Sequence, residues 1–203
     1  VLNWSILIVW FMGLSLLIAL AISLSTDFSN SGEIVTSENL QTNAEKRIFV
    51  NMKDDKLNKG DFDFKEIGNY KILKQNQNLT TYGNAQINLY HTADSLAYLE
   101  IVKTGRGSTK SEASFNAKNI SYYYVIQDSC INIDSFFKIN DDVKIRNQSL
   151  SLNFYLPNSF SIKFDEQSLK LLNKSIIPDS KRLPRMVQAV FLMQNKELQL
   201  VSE

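Results

Sequence analysis

Residues 149–156, with the sequence SLSLNFYL, decide the fold class of this chain. Leucine or phenylalanine occupies every second position, at Leu150, Leu152, Phe154 and Leu156, and the positions between them are mostly polar. Successive side chains of a strand point to opposite faces, so a period of two predicts a strand with one face in a core and the other mostly in solvent. We therefore expect the folded part of the chain to consist of strands.

Similar short apolar or alternating runs recur along the chain and are separated by turn-forming residues. They are residues 47–52, 70–74, 85–90, 96–104, 121–127, 130–139, 148–156, 160–164 and 189–201. Regular spacing of such runs predicts an all-β domain. Asp128-Ser129 and Asn195-Lys196 are typical of turns between strands.

Residues 111–119 are the one segment with a helical pattern after the N-terminal region. Ser111 is the expected N-cap, and Ala113 and Ala117 fall four residues apart on one face. The preceding GRGS stretch at residues 105–108 lacks the third glycine of a dinucleotide-binding loop and no βαβ pattern surrounds it. We predict that this stretch forms a tight turn.

Residues 2–24 form an uncharged apolar run, LNWSILIVWFMGLSLLIALAISL. As a helix of 1.5 Å rise per residue this run would measure roughly 34 Å, enough to cross the hydrocarbon core of a bilayer. It lacks the basic start and the small-residue exit that mark a cleaved signal peptide. We therefore predict one retained transmembrane helix at residues 1–24, and we expect the chain to be part of a longer protein because Val1 is not an initiator methionine.

The residues after this run suggest how the rest of the chain is arranged. Residues 25–45 are rich in Ser, Asn and Thr without a sustained period, which favours a linker, and residues 46–203 hold the strand-rich domain. The first basic residue after the helix is Lys46, beyond the window in which Lys and Arg hold a flank in the cytoplasm. We expect the domain to lie outside the cytoplasm, in the periplasm of a bacterium whose inner membrane holds the helix.

Composition excludes several classes of function. The chain carries 22 Lys and Arg against 21 Asp and Glu, so it lacks the strongly basic character of nucleic-acid binding proteins. His91 is the only histidine and Cys130 the only cysteine, and no nucleophile elbow or set of metal ligands accompanies them. We therefore predict no catalytic residue, no metal site and no cofactor.

The best indication of a binding surface is the aromatic triplet at residues 122–124. If these three tyrosines lie in a strand, both faces carry rings, and one set can pack in the core while the other serves an interface. We select Tyr123, Arg106 and Arg146 as candidate contact residues for a protein partner.

Two longer segments resemble the C-terminal region of PspC-domain proteins of Bacteroidetes, membrane proteins related to the phage-shock system. They are residues 94–139, from DSLAYLEIVK to DSFFKI, and residues 144–165, KIRNQSLSLNFYLPNSFSIKFD, and the similarity spans roughly residues 70–172. The matching positions are Asp94, Ser95, Ala97, Tyr98, Ile101, Lys103, Gly107, Ala117, Ile120, Tyr122, Tyr124, Ile133, Asp134, Phe137, Lys144, Arg146, Gln148 and Pro157. The chain departs from the family pattern at Asn158 and in the closing residues 190–200, and residues 1–45 contain no pattern of a PspC helical hairpin.

The resemblance implies a toast-rack or β-solenoid-like domain with a scaffold or regulatory role, and a β-sandwich is the alternative fold. We accordingly expect a membrane-anchored, non-enzymatic envelope-stress sensor or scaffold. Its expected partners are the lipid bilayer, other membrane or periplasmic proteins and further copies of itself. The alternative function is a structural subunit of a larger inner-membrane assembly for transport or motility. In that case the helix would pack against partners through Gly13, Ser15 and Ala19.

Overall fold

The computed structural model describes residues 4–42, 44–53, 64–75, 78–141, 143–175 and 187–201. Its first element is the helix α1, Trp4–Asp27, which continues three residues beyond the predicted end. At 24 residues it is about 36 Å long, and it is apolar enough to cross a membrane. The predicted membrane helix is therefore present as one continuous element.

The described residues after α1 form fourteen strands and a second α-helix. The strands are β1 Asn30–Asn39, β2 Arg47–Met52, β3 Phe64–Ile67, β4 Tyr70–Gln75, β5 Asn78–His91, β6 Tyr98–Gly107, β7 Ile120–Ser121, β8 Tyr124–Gln127, β9 Cys130–Ile133, β10 Phe136–Ile139, β11 Ser149–Leu156, β12 Ser161–Asp165, β13 Gln188–Gln194 and β14 Glu197–Val201. The second helix, α2, spans Lys110–Lys118, and a 3₁₀ turn spans Ser168–Leu171. Each predicted strand run contains one or two of these strands, which confirms the strand-rich domain.

The strands form two sheets. In the larger sheet the order is β1-β6-β11-β5-β10-β7, and β4 and β3 extend it from the first half of β5. In the smaller sheet the order is β14-β13-β12-β2-β9-β8. Most neighbours are antiparallel, but β5 pairs with β11 in parallel, and β2 pairs in parallel with both β12 and β9.

One hydrophobic core lies between the two sheets. The alternating residues of β11 all point into it, as the sequence predicted, and Leu150, Leu152, Phe154 and Leu156 are each at most 1% exposed. Phe154 of the larger sheet meets the ring of Phe164 in the smaller sheet edge-to-face at 6.4 Å. The two sheets therefore pack face to face, as in a β-sandwich. The parallel strand pairs at the centre of each sheet are a feature shared with β-solenoids.

The segment predicted to be a linker, residues 25–45, is mostly structured, and that prediction was wrong. Residues 25–27 complete α1, and β1 pairs with β6 over ten consecutive residues. β1 has no period-two pattern because it lies at the edge of the sheet and only Gly32 of its residues is buried. Backbone hydrogen bonds to β6 hold this polar strand in place, and amino-acid composition does not reveal such bonds.

Three glycines allow α2 to lie directly on the larger sheet. A Cβ atom would lie 2.2 Å from the backbone of Ser114 if added to Gly32, and 2.8 Å from the backbone of Ala117 if added to Gly105. A Cβ atom added to Gly107 would lie 2.6 Å from the backbone nitrogen of Ala113. The tight turn predicted at residues 105–108 is therefore wrong: Gly105 and Gly107 belong to β6, and their missing side chains make room for the helix.

The predicted helix is present, but its cap differs. Its N-cap is Thr109, whose hydroxyl oxygen accepts a hydrogen bond from the Glu112 backbone N–H at 3.1 Å, so Ser111 is not the cap. Ala113 and Ala117 are fully buried, as expected for the face toward the sheet. The helix thus closes one end of the larger sheet's inner face.

Candidate functional site

The most distinctive place in the molecule is the junction between α1 and the β-domain. Only Phe28 and Ser29 separate the end of the helix from β1. Their backbone N–H groups donate to Ser25 and Thr26 carbonyls of the last helical turn, at 3.3 and 3.2 Å. The connection is a tight turn, so the domain follows directly from the helix without a flexible tether.

Arg146 joins the helix to the domain from the other side. Its Nη2 lies 2.8 Å from Oδ2 of Asp27, the last residue of α1, and its guanidinium lies 5.4 Å from the centre of the Phe28 ring. The Arg146 side chain is only 16% exposed, whereas that of Asp27 is 39% exposed. The guanidinium is therefore largely enclosed while the carboxylate stays partly in solvent, and the contact holds the last residue of α1 against the loop before β11.

The loop before β11 holds Arg146 in position. The side-chain oxygen of Gln148, a residue only 2% exposed, accepts the Arg146 backbone N–H at 2.6 Å, and its Nε2 donates to the Lys144 carbonyl at 2.8 Å. The Tyr70 hydroxyl donates to the Gln148 carbonyl at 2.9 Å, and burial raises the pKa of Tyr70, which keeps this donor protonated. The Arg106 backbone N–H donates to the Arg146 carbonyl at 2.7 Å.

Ser108 makes a second connection between the start of the domain and α2. Its carbonyl accepts hydrogen bonds from the Asn30 side-chain amide at 2.7 Å and from the Ser29 hydroxyl at 3.4 Å. Its backbone N–H and hydroxyl both donate to the Glu112 carboxylate. These two hydrogen bonds lower the pKa of Glu112, so the carboxylate is charged at neutral pH. The end of α1, the start of β1 and the start of α2 therefore form one connected group.

The candidate contact residues predicted from the sequence lie in two places. Arg106 and Arg146 are neighbours at the junction; Arg106 is exposed, and Arg146 is engaged with Asp27 within the chain. Tyr123 lies between β7 and β8, 52% exposed, with Lys53 Nζ 4.7 Å from its ring centre. Tyr122 instead packs against the core and its hydroxyl donates to the Asp134 carbonyl at 2.7 Å.

The three small residues of the helix do not share one face. At about 100° per residue, Ser15 and Ala19 lie within roughly 40° of each other, whereas Gly13 lies on the far side of the helix. The Ser15 hydroxyl donates back to the Met12 carbonyl at 2.8 Å. If the helix packs against a partner through small residues, Ser15 and Ala19 are the pair that can act together.

A groove of about 510 Å³ opens beside β5, β10, β11 and the 3₁₀ turn. The described residues that line it include Lys71, Lys170 and several amides and hydroxyls, but no carboxylate and no histidine. His91 is the last residue of β5 and is not among them. Within the described ranges no three His, Cys, Asp or Glu residues are grouped as metal ligands. The described lining of the groove is therefore made of two lysines, uncharged polar groups and apolar side chains.

Arg146 is one of the contact residues predicted from the sequence, but its partner Asp27 and the junction are not predicted there. Asp27 is the first charged residue after the apolar run. This position is the one signal in the sequence for an ion pair between the end of the helix and the domain. Its partner is 119 residues away in the sequence, and no local pattern connects the two.

A comparison with protein families agrees with the strand-rich fold and with the resemblance to PspC proteins noted in the sequence. A family model described as the toast-rack domain found in some PspC proteins matches residues 72–200. No curated protein and no solved structure matches the chain. The matched region includes β5 to β13, α2 and the loop that carries Arg146. It covers more than half of the 203 residues, and the chain therefore belongs to the toast-rack family found in some PspC proteins.

Proposed function

We propose that this chain is a membrane-anchored relay of the envelope-stress response, which acts through protein contacts without catalysis. Family membership indicates a PspC-like, membrane-associated stress-response role, and the family is non-enzymatic. The observation that supports a relay is the junction, where a two-residue turn and the Asp27–Arg146 pair fix the domain to the helix. A partner that moves the domain would therefore also move the end of α1.

The proposal places α1 in a bacterial inner membrane and the domain in the periplasm. The absence of basic residues between Asp27 and Lys46 supports this side of the membrane. The candidate surfaces for a partner are Tyr123 with Lys53 at one place and Arg106 at the junction. Exposed aromatic and arginine side chains are enriched in protein interfaces.

Genetic complementation under envelope stress tests the proposal. A strain that lacks the gene is exposed to detergent or osmotic shock and complemented with the full chain or with α1 alone. We expect the full chain to restore survival and α1 alone to fail. Full rescue by α1 alone would contradict the proposal, because the domain would then have no part in the response.

The alternative is a structural subunit of a transport or motility complex, for which the exposed Ser15 and Ala19 pair on α1 offers a packing surface. Purification from native membranes after crosslinking separates the two functions. A complex of fixed stoichiometry, present with and without stress, would support the structural subunit. Contacts that change with stress and involve Tyr123 or Arg106 would support the relay, and an exposed site such as Leu96 serves as the control position.

A further inference from the structure

We propose that two copies of this chain associate by antiparallel pairing of their β1 strands about Val35, which joins their larger sheets into one. This inference deepens the proposed function and rests on it, because two copies anchored in one membrane meet at high local concentration. β1 is the terminal strand of the larger sheet and pairs with β6 on one side only among the described residues. The proposed occupant of its other side is the same strand of a second copy.

The backbone of β1 presents a regular set of hydrogen-bonding groups to a partner. The Leu40 N–H donates to the Ala97 carbonyl at 2.9 Å, so the even-numbered residues of β1 exchange hydrogen bonds with β6. The backbone groups of the odd-numbered residues therefore point away from the sheet. These residues are Ser31, Glu33, Val35, Ser37 and Asn39, and all five side chains are exposed.

β1 carries few of the devices that usually protect an edge strand. Its ten residues pair with β6 without a bulge, it contains no proline, and its length is about 30 Å. Glu33 is the one charged residue among the five whose backbone groups face the open edge. A long, regular edge of this kind is a template for addition of another strand.

The outward-facing residues match a second copy in one orientation. Antiparallel pairing centred on Val35 places Val35 opposite Val35 and Glu33 opposite Ser37 of the other copy. Val35 is 50% exposed and is the one apolar residue of the five, so the symmetric pair buries apolar surface. Parallel, in-register pairing would instead place Glu33 beside Glu33, where like charges oppose each other. The side chains therefore favour the antiparallel dimer.

Cysteine crosslinking in membranes tests this arrangement. In a Cys130→Ser background, Val35→Cys is oxidised with copper phenanthroline and compared with Val102→Cys, which pairs with Val35 on the adjacent strand and faces the same way. In the proposed dimer the two Val102 positions are three strand spacings apart, about 14 Å, beyond the reach of a disulfide. We expect Val35→Cys to form a disulfide dimer and Val102→Cys to form none.

The register is tested with two differently tagged copies. Glu33→Cys expressed with Ser37→Cys should form a mixed disulfide, and Glu33→Cys alone should not crosslink. A yield for Val35→Cys no higher than for Val102→Cys, or preferential crosslinking of Glu33→Cys to itself, would overturn the antiparallel dimer. Both readouts are independent of survival under stress, so the dimer and the stress function can fail separately.

Proline provides a second test that leaves the fold in place. Val35→Pro removes an outward N–H and keeps every bond to β6, whereas Thr36→Pro removes an N–H that bonds to β6. We expect Val35→Pro to abolish association of the full chain in nanodiscs while the circular dichroism spectrum stays unchanged, and Thr36→Pro to disturb β1 itself. Association that persists in a folded Val35→Pro variant would also overturn the proposal.

Discussion

At the scale of single residues, the junction depends on properties that arginine has and lysine lacks. The planar guanidinium of Arg146 reaches the Asp27 carboxylate and at the same time lies against the Phe28 ring. An ammonium group is a compact point charge and cannot present the same flat surface. One side chain therefore makes both the ion pair with Asp27 and the packing contact with the Phe28 ring.

Arg146→Met is expected to loosen the junction without unfolding the domain. Loss of the ion pair, which is partly buried, should cost about 1–2 kcal/mol locally, or roughly a tenfold fall in hydrogen-exchange protection of residues 144–148. Hydrogen exchange of the full chain in nanodiscs measures this fall in protection. Asp27→Asn should produce a similar fall and the double variant little more, because the two changes remove one interaction. Additive effects would show that the two side chains act independently.

Glu112 should make the start of α2 sensitive to acid. Its pKa is lowered by the hydrogen bonds from Ser108, so its contribution to stability is present above the ordinary glutamate pKa and is lost as pH falls through the lowered value. We expect exchange protection of α2 to fall in the wild type between neutral pH and pH 3, and Glu112→Gln to show weaker protection at neutral pH with less change on acidification. Glu197→Gln, an exposed residue of β14, is the control.

At the scale of elements, the sequence predicts strands with strong alternation and misses those without it. β11 could be predicted because its four even-numbered residues are apolar. In the structure all four are buried. β1 was missed because its position at the sheet edge leaves it polar. The glycines of β6 were interpreted as a turn, since a sequence shows their conformational freedom but not the helix that lies against them.

Glycine-to-alanine substitutions should rank by the space available at each position. Gly32→Ala places a Cβ 2.2 Å from α2 and Gly105→Ala places one 2.8 Å from it, whereas Gly13→Ala meets nothing within 4 Å. We expect Gly105→Ala to lower the free energy of unfolding by about 1–3 kcal/mol, Gly32→Ala to lower it by more, and Gly13→Ala to leave it unchanged. Urea denaturation, monitored by circular dichroism, measures the free energy of unfolding of each variant and so their ranking. A Gly32→Ala variant as stable as Gly13→Ala would show that α2 can move away at little cost.

At the scale of the whole molecule, the sequence predicted a membrane helix and a strand-rich domain but not how they are joined. The toast-rack fold was expected from the resemblance, and the family match confirms it. The junction could not be predicted, because it brings together Asp27, Ser108 and Arg146 from three separate parts of the chain. Such contacts depend on the pairing order of the strands, which local patterns do not specify.

A flexible insertion at the junction should separate anchoring from relay. Ten Gly and Ser residues between Phe28 and Ser29 would span roughly 17 Å on average and would uncouple Asp27 from Arg146 while β1 stays paired with β6. We expect distances between spin labels on α1 and the domain to broaden in nanodiscs, and survival under envelope stress to fall to the level of α1 alone. The same insertion between Asn195 and Lys196, in the β13–β14 turn, should change neither result. Full survival with the junction insertion would show that the domain acts as a tethered binding module, because a relay requires the rigid connection that the insertion removes.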